Sequence, residues 1–133
     1  MKVAILGLGS VGRGVASMLA KKDLGILVTG IADSRGGVVD PVGIDIQAVL
    51  ERKAKTGCCG DPSIRGEDIV RNGDYDVLVE VTPTDIRTGE PALTSIRTAL
   101  SRGKHVVTSN KGPLALHYTE LMHLAAENGV QLR

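Results

Sequence analysis

The sequence contains no phenylalanine and no tryptophan, and Tyr75 and Tyr118 are its only aromatic residues. A core for these 133 residues must therefore be aliphatic. A chain of this length forms one domain and buries roughly two thirds of its unfolded surface. Its abundant Val, Ile, Leu and Ala suit buried parallel strands covered by helices. Neither sign of charge is in excess, since the formal net charge is +1. The densest basic cluster, Arg52-Lys53-Ala54-Lys55, is short and reads as solvated surface, so neither nucleic acid nor a membrane is an expected partner. The two cysteines, Cys58 and Cys59, are adjacent and match no disulfide framework and no C-x-x-C redox or zinc pattern. No apolar run reaches transmembrane length. Gly7, Gly9 and Arg13 break the N-terminal apolar run before a secretory h-region could form. The default is a soluble cytoplasmic protein. His117 and His123 lie six positions apart, which puts them on different faces of a helix, and no metal site is expected.

What the chain has in quantity is glycine, 17 residues, which implies many tight turns or close approaches of backbone to a ligand. Between the glycines, short apolar runs alternate with helix-period segments. Residues 2–6, 27–32, 76–81 and 105–108 read as strands, and 130–133 as the start of a fifth. Helices are expected over 11–22, about 45–55, from 67, over 91–102, and from 112 or 113 to 128. Pro91 suits a first helical position, and Gly103 and Gly129 suit helix ends. This alternation predicts an α/β fold of Rossmann type, a doubly wound parallel sheet with helices on both faces. In such a sheet the ligand lies at the carboxyl ends of the strands, where strand order reverses. The loops after Leu6, Ala32, Val81 and Thr108 are then the candidate chemistry.

The first of these loops carries Gly7-Leu8-Gly9-Ser10-Val11-Gly12, a G-x-G-x-x-G that follows a strand and opens a helix, the context that makes this pattern informative. The first glycine serves the turn, the second leaves room for a pyrophosphate, and the third lets helix and strand pack closely. The helix N-terminus adds unpaired N–H groups, with the Ser10 hydroxyl beside them. Asp33 stands 21 residues beyond Gly12, where an acid accepts from the adenosine ribose of NAD. Arg35, two residues on, suits the 2′-phosphate of NADP. The choice between the two coenzymes stays open, as does a purely surface role for Arg35.

Thr82-Pro83-Thr84 follows the third expected strand, in position to meet the nicotinamide end of a coenzyme; the competing reading is a plain loop in which Pro83 stops the strand. Asn110-Lys111 follows the fourth. A lysine at the start of a helix opposes the helix dipole, so stability does not explain Lys111. At a cleft edge it is a candidate proton-transfer group. His105 reads as a core or edge histidine, and Glu80 as a strand acid bonded locally.

The segments KVAILGLGSVGRG, ADSRGGV, VEVTPT and GEPALTSIRTALSRGKHVVTSNKGPLAL together resemble the N-terminal, NAD(P)-binding domain of homoserine dehydrogenase, with HVVTSNKGPLA the most specific part. The resemblance covers nearly the whole chain. It implies an oxidoreductase that interconverts L-homoserine and L-aspartate 4-semialdehyde with NAD or NADP, on the route to threonine, methionine and isoleucine. It also implies roles. Gly7, Leu8, Gly9, Ser10, Val11 and Gly12 would line the pyrophosphate. Asp33, Ser34 and Arg35 would meet the adenosine ribose or its 2′-phosphate. Thr82 and Pro83 would flank the nicotinamide, and Asn110 and Lys111, the family's Asn-Lys pair, would also meet the coenzyme, with Lys111 in proton transfer. Complete members continue into a second domain that supplies homoserine-binding residues, another lysine and most of a homodimer interface. The expectation is a truncation at the start of that domain, with these residues alone catalytically inert or nearly so. Another amino-acid dehydrogenase, such as aspartate dehydrogenase, a non-catalytic NAD(P)-binding module and a poorly folding remnant are the alternatives.

Overall fold

The computed structural model describes residues 1–133. Ten elements follow one another as β1 (Lys2–Leu6), α1 (Ser10–Lys21), β2 (Leu27–Ala32), β3 (Gly37–Val39), α2 (Ile46–Thr56), α3 (Gly66–Asn72), β4 (Val77–Glu80), α4 (Ala92–Ser101), β5 (His105–Thr108) and α5 (Lys111–Glu127). The helix ends are set by local chemistry. The Asp45 carboxylate caps α2 by accepting from the Ala48 N–H at 3.1 Å, and Gly57 closes the same helix at φ 75°, a left-handed conformation that costs glycine little. Pro91 is the N-cap residue of α4 rather than its first helical residue, one position from expectation.

The strands form one sheet in the order β3-β2-β1-β4-β5. β1 pairs in parallel with β2 on one side and β4 on the other, and β4 with β5. The outer strand β3 runs antiparallel to β2, with Gly30 opposite Val39 and Ala32 opposite Gly37. The expectation of an all-parallel sheet is thus corrected at one edge. Gly37-Val38-Val39 is three residues long and begins with glycine, so no period-2 pattern marks it; its pairing comes from the tight turn at Asp33–Gly36, closed by Asp33 N–H to the Gly36 carbonyl at 2.9 Å. At the other edge, the residues read as the start of a further strand do pair in parallel with β5, through a Val106–Leu132 bridge.

Helices cover both faces. Leu6, Leu78 and Val106 pack on one face with Ile69 and Val70 of α3, Ile96 and Leu100 of α4, and Leu121 and Ala125 of α5. Val3, Ile5, Val28 and Ile31 pack on the other with Ala16 of α1 and Val49 of α2. Alternate residues of β1 point to opposite faces, as pleating requires, so the strand is buried from Val3 to Leu6. The single buried aromatic, Tyr75, donates its hydroxyl to the Val70 carbonyl at 2.8 Å. No helix is long and apolar enough to cross a membrane.

Candidate functional site

The sheet order reverses direction at β1: the chain crosses from β1 through α1 to β2 on one side, then from β3 through α2 and α3 to β4 on the other. The loops after β1, β2, β4 and β5 therefore open on one edge, at the carboxyl ends of the parallel strands. The central loop runs through Gly7, Leu8 and Gly9 into α1. Gly7 has φ +97°, and a Cβ there would stand 2.6 Å from the Val81 carbonyl oxygen. A Cβ on Gly12 would stand 1.9 Å from the Gly7 carbonyl oxygen, so helix and turn touch backbone to backbone. A Cβ on Gly9 would meet nothing within 4 Å. Packing explains two of the glycines and leaves the third facing open space.

The start of α1 matches that space. No side chain caps it, and its first backbone bond is from Arg13 N–H to the Gly9 carbonyl at 2.9 Å. The N–H groups ahead of Arg13 in the first turn have no acceptor in the chain, the arrangement in which a helix end receives an anion. Ser10 is exposed beside them, and Val11, 52 % exposed, adds an apolar rim. Leu8 is buried among the residues under α1 and α2, so its side chain belongs to the core and only its backbone borders the loop.

At the β2 end, Asp33 is already committed. One carboxylate oxygen accepts from Arg35 N–H at 2.7 Å and Gly36 N–H at 3.0 Å; the other accepts from Lys53 Nζ at 2.7 Å and Cys59 N–H at 3.1 Å. A carboxylate has about four lone-pair positions, and all are used. Burial alone would push the Asp33 carboxyl up, but Lys53 and the two turn amides outweigh it and hold the group below its ordinary value. Lys53, read from sequence as solvated surface, is instead this carboxylate's ion-pair partner and also donates to the Gly57 carbonyl at 2.9 Å. Lys55 is exposed. Ser34 and Arg35 sit exposed at the tip of the β2–β3 turn, and the Arg35 guanidinium lies against Gly57, 2.9 Å from where a Cβ would be. Two cations thus stand together at this end. Cys59 packs beneath, its thiol pushed up to about 12 by burial and by the Asp33 charge.

At the β4–β5 end the organising residue is Glu80, which is 0 % exposed. Its carboxylate accepts from Thr82 N–H at 3.0 Å, from the Thr82 hydroxyl, from the Thr108 hydroxyl at 3.2 Å and from Asn110 Nδ2. Bonds within the next two residues are what the sequence suggested for Glu80; the bonds to Thr108 and Asn110 on the neighbouring strand end were not foreseen. An acid inside the apolar run Val77–Val81 was the available signal. Thr82 and Asn110 are thereby held side by side across the mouth of the sheet. Pro83 is exposed, and Lys111 is exposed at the first position of α5 with no carboxylate partner. His105 lies at the exposed edge of β5, where its Nδ1 accepts from Gln131 N–H at 3.1 Å. His117 pairs with Glu120 at 3.1 Å on α5, away from this mouth.

The edge therefore offers open space before an uncapped helix start at its centre, two cations at one end, and a row of hydroxyl, amide and lysine groups at the other. The family described as "Homoserine dehydrogenase, NAD binding domain" matches residues 7–133. Homoserine dehydrogenase of Methanocaldococcus jannaschii is 41 % identical over 145 residues, covering 100 % of this chain and 43 % of the relative. The NAD(+)-dependent homoserine dehydrogenase of Pseudomonas canavaninivorans is 36 % identical, covering 97 % of this chain and 41 % of the relative. Among solved structures, a hyperthermophilic archaeal homoserine dehydrogenase in complex with NADPH superposes with a TM-score of 0.82 at 32 % identity, over 98 % of this chain and 42 % of that one. The chain spans about two fifths of the length of these relatives.

Proposed function

The chain belongs to the homoserine dehydrogenase NAD-binding domain family, and from that premise we propose that it binds a nicotinamide dinucleotide along the carboxyl edge of its sheet, NADP in preference to NAD. The observation that carries the reading is the open space at Gly9 facing the uncapped start of α1. It fits a pyrophosphate, whose oxygens would take the free N–H groups of Ser10, Val11 and Gly12. Gly7 and Gly12 shape this seat through their contacts with the β4 loop and with each other. The adenosine half then extends toward β2 and the nicotinamide half toward β4 and β5.

The preference for NADP rests on the β2 end. All four acceptor positions of Asp33 are taken by Arg35, Gly36, Lys53 and Cys59, so it has none left for ribose hydroxyls. Arg35 is exposed at the turn tip with its guanidinium against Gly57, Ser34 beside it and Lys53 behind. A guanidinium suits the planar, bidentate recognition of a phosphate.

The wider activity proposed is that of the family: interconversion of L-homoserine and L-aspartate 4-semialdehyde within threonine, methionine and isoleucine biosynthesis, in the cytoplasm, by a homodimeric enzyme. The bound coenzyme supplies the hydride acceptor. Thr82, Pro83 and Asn110 border the nicotinamide, and Lys111 stands where the coenzyme meets the substrate. Lys111, exposed and without an ion-pair partner, is the group that exchanges the hydroxyl proton of the alcohol. This chain supplies the coenzyme side of the reacting geometry, and both sides are needed for a near-attack arrangement.

Titration of the chain with NAD and NADP, read as a shift in thermal midpoint, tests the proposal, because a ligand that binds the native state raises apparent stability by mass action. NADP should raise the midpoint more than NAD, and Arg35→Ala should remove the difference. A folded chain that shifts with neither coenzyme at millimolar concentration would sink the proposal.

A further inference from the structure

Four donors converge on the buried Glu80 carboxylate, and a carboxylate has no hydrogen to give back. The Thr82 and Thr108 hydroxyl hydrogens are therefore spent on it, as is one side of the Asn110 amide. One lone pair of Thr108 is used as well, since its hydroxyl oxygen accepts from Asn110 N–H at 3.0 Å. Asn110 is the N-cap residue of α5, a position where asparagine ordinarily turns its side-chain oxygen onto the first helical N–H groups. Here no side-chain cap forms. The amide is turned the other way, its nitrogen on Glu80, and Oδ1 is left facing away from the carboxylate with no partner in the chain. A stabilising cap has been given up to hold this orientation.

We infer that Glu80 is a positioning residue that sets the hydrogen-bonding polarity of the nicotinamide end of the site: by drawing the hydrogens of Thr82, Thr108 and Asn110 inward, it leaves Thr82 Oγ1 and Asn110 Oδ1 as outward acceptors, which select the N–H donor of the nicotinamide carboxamide. The inference rests on the coenzyme reading given above. A neutral glutamine at position 80 would fill the same space but present an NH2 group on one side. The Asn110 amide could then turn over, the Thr82 hydroxyl hydrogen would be less strongly held, and the acceptor polarity would be lost.

The test compares NADP with 3-acetylpyridine adenine dinucleotide phosphate, in which a methyl group replaces the carboxamide NH2. Dissociation constants are measured by calorimetric titration of the chain, Glu80→Gln and Asn110→Ala, each checked for folding by circular dichroism. The unsubstituted chain should bind the acetyl analogue about tenfold more weakly, the scale of one hydrogen bond with an acceptor left unpaired. In Glu80→Gln that ratio should fall toward one. Asn110→Ala, which removes Oδ1 and leaves the buried acid with its bonds from Thr82 and Thr108, should lower the ratio too and decides the matter if Glu80→Gln does not fold. A Glu80→Gln chain that weakens both ligands equally and keeps the ratio, or an Asn110→Ala chain with undiminished discrimination, overturns the inference while leaving coenzyme binding in place. Failure of NADP to bind the unsubstituted chain overturns the coenzyme reading, and the inference with it.

Discussion

Replacing Asp33 with asparagine tests whether this acid is chiefly a structural acceptor. Its side chain is 5 % exposed and takes four donors, two on each oxygen. In Asp33→Asn the remaining oxygen can still accept from Arg35 and Gly36, but the new NH2 group confronts two donors, Lys53 Nζ and Cys59 N–H. Lys53 is 21 % exposed and recovers water, so its share of the loss is small. Cys59 belongs to a buried residue, and leaving its N–H without an acceptor costs about 1–3 kcal/mol. The expected destabilisation is about 2 kcal/mol, or roughly 7 °C in thermal midpoint for a chain of this size. The pH dependence gives the sharper check. The Asp33 carboxyl lies below its ordinary value in the folded chain, so its contribution is complete above the unfolded value of about 4 and is lost as pH falls through the folded one. The gap between the parent chain and Asp33→Asn should be widest at pH 7, still nearly full at pH 5, and closing below about pH 4. Urea denaturation followed by circular dichroism at pH 7, 5 and 3.5 measures it. A gap that stays constant across that range, or a midpoint at pH 7 within about 1 °C of the parent, would refute the reasoning.

Other expectations follow from the same geometry. Gly12→Ala places a Cβ 1.9 Å from the Gly7 carbonyl oxygen; it should cost about 1–3 kcal/mol and abolish the coenzyme-dependent thermal shift. Gly9→Ala meets nothing within 4 Å and should leave stability equal or slightly raised while weakening coenzyme binding, so a Gly9→Ala chain that binds normally would contradict the pyrophosphate seat. Tyr75→Phe should lower stability by only about 1 kcal/mol, because the Val70 carbonyl that loses the hydroxyl keeps Arg102 Nη1 at 2.6 Å; thermal denaturation reads it directly.

Much of the architecture was legible in advance because its signals are local. The apolar runs at β1, β2, β4 and β5 are bounded by glycine or polar residues, and each forms a strand with a parallel neighbour. The helices carry their own punctuation, as with Asp45 before α2, Gly57 after it, and Gly103 and Gly129 beyond α4 and α5. β3 escaped because three residues beginning with glycine carry no periodicity; a turn four residues long, not a pattern, creates that strand. Lys53 escaped for a different reason. On a helix rich in exposed cations, nothing local distinguishes the lysine that folds back to an acid 20 residues earlier from its neighbours Arg52 and Lys55.

The sequence by itself determined the order of strands and helices, the loop that opens toward a phosphate, and the family, because glycine spacing and hydrophobic alternation act over a few residues at a time. Tertiary structure decided what the two acids at the strand ends do. Asp33 spends an oxygen on Cys59, 26 residues away, and Glu80 one on Asn110, 30 residues away. A carboxylate reads the same in a sequence whether its lone pairs are empty or full, and only the packing of distant backbone and side-chain donors around it settles which groups remain to meet a ligand.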